Sequence, residues 1–247
     1  MQKKIAIIGA IKDEIAGIKQ EMRIDDTLRW QTGNAFVGEW QGRAIVLVRS
    51  GMGGQRAQRA LTEVVERFSL ERIFSIGYAG ALDPSLQVGD LVVADKVMAV
   101  KIGAPENSGE KEKSYDLAEV DGVPDVHGGA LLTVDRVAAI PQEKKVLREK
   151  FSAVAVDMET SALAEAAQSR NIPLISVRAI TDAADQELID CSHLVAEDGD
   201  VSKLKAGWHV LTHPGDLKGM IELGKHARIA TANLTAFLKK YLDSGKQ

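Results

Sequence analysis

Short apolar runs recur along the chain and are separated by polar or helix-patterned stretches. The runs that predict buried strands are KIAIIG (4–9), AIVLVRS (44–50), RIFSIG (72–77), DLVVADKV (90–97), AVAVDM (153–158) and IPLISVRAI (172–180). Continuous runs rich in β-branched residues are typical of strands that are covered on both faces. The pattern therefore predicts a sheet buried between two layers.

Helical patterns, with apolar residues three or four positions apart, lie between these strands. They cover Ile11–Met22, Gln55–Phe68, Gln142–Phe151, Ser161–Arg170 and a last helix from about Leu217 to Leu242. Strands that alternate with helices indicate a wound α/β fold. No linker separates two halves, so we predict one domain over residues 1–247.

Two segments depart from this alternation. Residues 103–126 are rich in Gly, Pro and charge, and they predict a long surface excursion. Residues 186–216 interrupt the passage from a strand end to the final helix, and they contain His193, His209 and His213. Long connections of this kind often serve function. The spacing of the histidines does not match a helical metal motif, so we expect no metal site there.

Composition and charge exclude several classes of protein. The 247 residues carry a net charge of −4, with 45% hydrophobic and 27% charged residues. There is no basic stripe with interleaved aromatic residues, which argues against nucleic acid as a partner. No run approaches the roughly 20 apolar residues of a membrane span, and the N-terminal apolar run is too short for a signal peptide. The only cysteine, Cys191, excludes an internal disulfide, and we expect a cytoplasmic protein.

Carboxylates follow three of the predicted strands. Glu14 comes after the first strand, Asp157 and Glu159 follow the AVAV run, and Asp182 follows IPLISVRAI. In open α/β sheets, ligands bind outside the carboxyl ends of the strands. Each acid taken alone is explained by a helix start, which attracts negative charge or needs a cap. Glu14, Glu159 and Asp182 at one edge together indicate a site.

Two glycine loops share this placement. SGMGG (50–54) contains Met52 and Gly53, and GYAGA (77–81) contains Tyr78, Ala79 and Gly80. Glycine lets a ligand approach the backbone closely, and N–H groups at a helix start hold hydroxyl or anionic groups. Neither loop is a Walker or dinucleotide motif, and plain turns explain them equally well.

With these residues assembled, the chain resembles the nucleoside phosphorylase and nucleosidase superfamily, most closely its methylthioadenosine/S-adenosylhomocysteine nucleosidase branch. The resemblance is carried by IAIIGAIKDEI, VRSGMGG, IGYAGALDPSLQVGDLVVAD, AVDMETSALA and VRAITDAAD. It implies a three-layer α/β sandwich with a central mixed, mostly parallel sheet flanked by helices. It also implies a homodimer or larger homo-oligomer, and no metal or organic cofactor.

The resemblance implies cleavage of the N-glycosidic bond of a purine nucleoside, with an oxocarbenium-like transition state. Asp182 would protonate the base in an apolar setting, Glu14 would activate water and Glu159 would bind the ribose hydroxyls. Arg178 would help to position the acid's surroundings. Met52 and Met158 would pack on the sugar or base, beside the backbone of Gly53, Ala79 and Gly80.

The sequence departs from the nucleosidase pattern at two positions. Tyr78 replaces a small hydroxyl residue, and Val137 stands nearest to where the family has a base-stacking aromatic residue. Stacking on an aromatic ring contributes roughly 1–3 kcal/mol per base in nucleic-acid complexes, so the adenine preference is in question and Tyr78 is a candidate substitute ring. The segment ending HPGDLKGMIELGKHARIA weakly resembles a hopanoid-associated branch.

Three functions stay open at this point. The first is hydrolysis of a purine nucleoside, in particular a 5′-modified adenosine. The second is phosphorolysis of a nucleoside, purine or hopanoid-linked, for which Arg49 beside SGMGG is a candidate anion ligand. The third is a non-catalytic nucleoside-binding module. Glu14 and the early position of Arg72 favour water as the nucleophile.

Overall fold

The computed structural model describes residues 2–30, 33–102, 113–120, 125–188 and 217–244. Its strands are β1 (Lys4–Gly9), β2 (Arg23–Trp30), β3 (Gly33–Trp40), β4 (Arg43–Arg49), β5 (Leu70–Ala81), β6 (Leu91–Val100), β7 (Lys113–Asp116), β8 (His127–Val134), β9 (Ala155–Asp157) and β10 (Leu174–Asp182). Its helices are α1 (Lys12–Glu21), α2 (Gly54–Arg67), α3 (Pro141–Phe151), α4 (Thr160–Gln168) and α5 (Leu217–Ser244).

The predicted strands and helices are all present, with ends that differ by a few residues. The sequence pattern missed the strands that are neither continuously apolar nor flanked by clear turns. Strand β2 is almost wholly exposed along RIDDTLRW, and β8 opens with His-Gly-Gly. The predicted excursion over 103–126 is wrong in part, because β7 lies within it and pairs with β6; residues 103–112 and 121–124 lie outside the described residues.

The strands form one mixed sheet in the order β10-β6-β8-β9-β5-β1-β4-β3-β2. Because β10 also pairs with β5, the strands β5, β10, β6, β8 and β9 close on themselves. Parallel pairs join β4, β1, β5 and β10 at the centre, and the hairpin strands at one edge are antiparallel. A mixed sheet is confirmed, but among the described strands parallel and antiparallel pairs are equally numerous, five of each.

Helices cover both faces of the sheet, which confirms the three-layer arrangement. Successive β1 side chains point to opposite faces: Ile5 and Ile7 pack with the cluster that includes α1 and α5, whereas Ala6 and Ile8 pack with the cluster that includes α2 and α4. These clusters contain most of the buried apolar residues and fix the strands rigidly. Among the described residues, no helix is long and apolar enough to cross a membrane.

Candidate functional site

Glu14 is buried at the carboxyl end of β1, in the first turn of α1. Its Oε2 accepts hydrogen bonds from the N–H groups of Ala10 (2.6 Å) and Ile11 (3.0 Å), and its Oε1 accepts one from Tyr78 N–H (3.0 Å). Burial raises the pKa of Glu14 above its usual range, although these N–H groups and the charge of Arg178 oppose the rise. The result is a carboxylate that is fixed in place and inclined to take up a proton.

Glu159 lies at the start of α4 and reaches across to the glycine loop before α2. Its Oε1 accepts a hydrogen bond from Gly53 N–H at 2.7 Å. Burial, followed by the charges of Asp157 and Glu14, raises the pKa of Glu159 to about 8. Glu14 and Glu159 therefore influence each other electrostatically. Glu159 also lines a small cavity with Ser50, Ser75 and Arg178.

Asp157, adjacent to Met158, points to a different set of partners from Glu159. Its Oδ2 accepts hydrogen bonds from Arg178 Nε (3.0 Å) and Nη2 (2.8 Å) and from Thr160 N–H (3.0 Å), while Thr133 donates to Oδ1 at 2.6 Å. The side chains of Asp157 and Arg178 are 0% and 2% exposed. Asp157 thus serves the start of α4, as a cap would, and also neutralises a buried arginine.

The charge of Arg178 also acts on Glu14, where it opposes the rise in the pKa of that carboxyl group. Arg178 Nη2 also donates to Ser75 Oγ at 2.8 Å and to Thr160 Oγ1 at 2.6 Å. A Cβ at Gly77 would lie 2.7 Å from Glu14 Oε1 and 3.2 Å from Arg178 Nη1. Glu14 and Arg178 therefore both approach the bare backbone of Gly77, and a side chain there would displace them. The bonds to Ser75 and Thr160 hold the Arg178 guanidinium in place, and its charge acts on Glu14.

Asp182 is buried at the end of β10 beside a different cation. Its Oδ2 accepts a hydrogen bond from Lys144 Nζ at 2.6 Å, and its Oδ1 accepts one from Thr181 Oγ1 at 3.1 Å. A Cβ at Gly80 would lie 2.8 Å from Asp182 Oδ2. The predicted apolar setting is wrong in this respect: Asp182 is shielded from water but paired with a buried ammonium group.

Tyr78 contributes its backbone to the site and directs its side chain elsewhere. Its hydroxyl lies 2.6 Å from Thr231 Oγ1 and donates to the carbonyl of Ala227 at 3.3 Å, both on α5. Its ring packs with the cluster on that face, so the ring is engaged by α5 and is not available as a substitute for the stacking aromatic residue. Ala79 pairs with Ile180 of β10, and its carbonyl lies 3.4 Å from Thr181 Oγ1.

The apolar residues predicted to contact the substrate are half-buried or exposed. Met52 and Met158 are half-buried in the loops before α2 and α4, next to Gly53 and Glu159. Val137 is 51% exposed in the connection between β8 and α3, and its carbonyl accepts a hydrogen bond from Arg136. His193, His209 and His213 lie outside the described residues.

The sequence pattern did not predict Lys144 as a site residue, although its side chain is fully buried (0% exposed). A lysine in a charged helix normally indicates a solvent-facing position. The available signal was its spacing, since Lys144 lies three residues before buried Leu147 and seven before Phe151, on the inward face of α3. Ser75 was missed because it lies inside an apolar strand.

A groove of about 530 Å³ lies at the opposite end of the strands, between the end of α2 and the start of β5. Its arginines have local partners: Arg67 bonds Glu63, and Arg170 bonds the Ala166 carbonyl. It brings together none of the carboxylates discussed above.

The sequence matches a known protein family over most of its length. The family model described as the phosphorylase superfamily matches residues 4–206. A 5′-methylthioadenosine/S-adenosylhomocysteine nucleosidase from Tolumonas auensis is 28% identical over 202 residues, covering 74% of this chain and 88% of that protein.

Solved structures share the fold at lower identity. The nucleosidase of that name from Neisseria meningitidis, in complex with methylthio-immucillin-A, has a TM-score of 0.75 at 22% identity and covers 98% of this chain and 100% of its own. Futalosine hydrolase of Helicobacter pylori has a TM-score of 0.70 at 19% identity, covering 96% of this chain and 98% of its own.

Proposed function

We propose that this chain, which belongs to the phosphorylase superfamily, hydrolyses the N-glycosidic bond of a purine nucleoside and releases the free base. The observation that carries the proposal is Glu14, a buried carboxylate held by three backbone N–H groups beside Glu159. The similarity to 5′-methylthioadenosine/S-adenosylhomocysteine nucleosidases supports a 5′-modified adenosine as substrate.

In the proposed mechanism, each carboxylate has a separate task. The bond between C1′ and the base nitrogen breaks and its electron pair goes to the base. Asp182, which enters this step with a proton on Oδ1, the oxygen not bonded by Lys144, passes that proton to N7 and is left as a carboxylate beside Lys144. Water attacks C1′ from the other face and gives its proton to Glu14. The raised pKa of Glu14 suits this step, because a base is most effective when its pKa is near the working pH.

Glu159 is proposed to bind the ribose hydroxyls. With its pKa raised to about 8, it is protonated near neutral pH and can donate a hydrogen bond as well as accept one. The bond from Gly53 N–H to Oε1 fixes its direction. Met52 and Met158, on either side of this contact, would form the apolar wall for the sugar.

Water is favoured over phosphate as the nucleophile, because a phosphate site needs cations that face it. The two arginines considered above as phosphate ligands donate hydrogen bonds to other side chains. Arg72 donates to Tyr241 Oη at 2.6 Å, and Arg49 Nε donates to Asn34 Oδ1 at 3.2 Å. Arg178 is neutralised by Asp157.

The carboxylate roles are tested by two substitutions. Asp182→Asn should lower the rate of base release by at least about a hundredfold, the usual contribution of a general acid, without unfolding the protein. Glu14→Gln should lower kcat while nucleoside binding, measured by calorimetry, stays within a few-fold of wild type. Full activity of Asp182→Asn would contradict the assignment of the acid, and equal losses of binding and kcat in Glu14→Gln would indicate a structural role.

We also propose a cellular location and an oligomeric state for the protein. A single cysteine suits a reducing compartment, so we place the enzyme in the cytoplasm, as a homodimer or larger homo-oligomer. Light scattering on the purified protein measures the assembly directly, and a monomer at micromolar concentration would contradict it.

A further inference from the structure

Lys144 is a buried cation to which the proposed reaction assigns no role. It lies on α3, and its side chain is 1% exposed. The ammonium donates to three oxygens: Asp182 Oδ2 at 2.6 Å, the Ala183 carbonyl at 2.7 Å and the Gln186 carbonyl at 3.2 Å. Because an ammonium group has three N–H donors, Lys144 has none left for a ligand. Whatever it does for a bound nucleoside must pass through Asp182.

The bond to Lys144 places the two oxygens of Asp182 in different surroundings. Oδ2 is held by the ammonium and pressed against the backbone of Gly80, where even a methyl group would not fit. Within the described part of the chain, Oδ1 has one hydrogen-bond partner, the neighbouring hydroxyl of Thr181 at 3.1 Å. Oδ1 is therefore the oxygen that is left to meet a base.

We propose that Lys144 is a positioning residue, which aims Asp182 Oδ1 at the leaving base. This inference rests on the proposed function. By bonding Oδ2 together with the carbonyls of Ala183 and Gln186, Lys144 fixes the carboxyl plane and the turn that follows β10 as one unit. Without the ammonium, the carboxyl group can rotate about its χ2 bond, and the turn loses its anchor to α3. Small misplacements of a catalytic group are costly to the rate.

A positioning role for the acid predicts a dependence on the leaving group. A purine is a poor leaving group and needs protonation, whereas 4-nitrophenolate leaves without it. Lys144→Met keeps the length of the side chain and removes the ammonium. It should lower kcat for adenosine and methylthioadenosine by about a hundredfold, with little change in KM. Cleavage of 4-nitrophenyl riboside should change by less than about threefold. Lys144→Arg, which restores a buried donor, should recover part of the purine activity.

A double-variant cycle keeps the test decisive if the aryl riboside is a poor substrate or if Lys144→Met leaves Asp182 unpaired and unstable. In an Asp182→Asn background, residue 182 has no proton to give, so Lys144→Met should lower the residual purine rate by less than about threefold. Lys145→Met, at an exposed position on the same helix, is the matched control and should behave like wild type.

Each outcome decides the matter. Equal losses with both substrates, a further large loss in the Asp182→Asn background, unchanged purine activity or a gain in it would each overturn the positioning role. Failure of the proposed function is distinguishable, because the wild-type protein would then release no base from any purine nucleoside in the absence of phosphate. Loss confined to the purine substrates, in variants that remain folded at the assay temperature, supports the proposal.

Discussion

Asp157→Asn tests whether the buried ion pair with Arg178 holds the site together. The substitution keeps the shape of the side chain but removes its charge. In the wild-type protein, Asp157 accepts bonds from Arg178, Thr160 and Thr133, and its side chain is fully buried. An asparagine amide adds an N–H₂ group that must face a donor on one of these sides. It therefore leaves Arg178 charged and incompletely paired in the interior.

The expected cost follows from that geometry. Removing one partner of a buried pair lowers stability by about 3–5 kcal/mol, because an uncompensated charge remains buried. A domain of ordinary stability has about 5–15 kcal/mol in total. For a chain of this size, each kcal/mol shifts the melting temperature by roughly 2–4 °C. We therefore expect Asp157→Asn to lower the melting temperature by roughly 6–20 °C.

The assay is urea unfolding followed by circular dichroism, with thermal melting as a second measure. Glu165→Gln is the matched control, since Glu165 pairs with Lys113 on the surface, with side chains 44% and 61% exposed. Exposed pairs contribute about 0–1 kcal/mol, so the control should stay close to wild type. A free energy of unfolding for Asp157→Asn within about 1 kcal/mol of wild type would refute the reasoning.

Two further predictions concern Glu159 and Tyr78. Burial raises the pKa of Glu159 from its ordinary value of 4.5 to about 8 in the folded protein, so unfolding releases a proton between these pH values. Stability should therefore fall as pH rises through that window, by up to about 1.4 kcal/mol per pH unit. Glu159→Gln should remove this part of the decline in urea titrations at pH 5 and pH 8, and an unchanged slope would contradict it. Tyr78→Phe removes the hydroxyl bonded to Thr231 but keeps the backbone N–H that holds Glu14, so stability should fall by about 1 kcal/mol while kcat stays within about twofold of wild type; a tenfold loss of kcat would show that the ring itself serves the site.

Much of the central fold was predictable because its strands are buried on both faces. Strand β1 is apolar at nearly every position, and helix α2 has its apolar residues on one face. The hairpin strand β2 was not predictable in this way. It is exposed along most of its length, so its pairing with β3 comes from backbone hydrogen bonds that leave no apolar pattern in the sequence.

In the candidate site, too, some residues could be predicted from the sequence and others could not. Glu14, Glu159 and Asp182 could be found because acidic residues at strand ends stand out against apolar surroundings. The side chains that bond these acids could not be predicted. Lys144 comes from a helix 38 residues before Asp182, and sequence does not show that its ammonium is buried against that carboxylate. Asp157 and Glu159 are two residues apart, yet one neutralises Arg178 and the other bonds Gly53. The backbone geometry of the turn between β9 and α4 directs the two side chains to these different partners, and the sequence pattern does not specify that geometry.

The central claim is that water, and not phosphate, cleaves a purine nucleoside at this site. Its most direct test is to incubate the protein with adenosine, methylthioadenosine, S-adenosylhomocysteine and inosine, with and without phosphate, and to identify both the base and the sugar released. We predict free base and a free sugar at the same rate in both conditions, with the highest kcat/KM for a 5′-modified adenosine. Formation of a sugar 1-phosphate that requires added phosphate would contradict the claim.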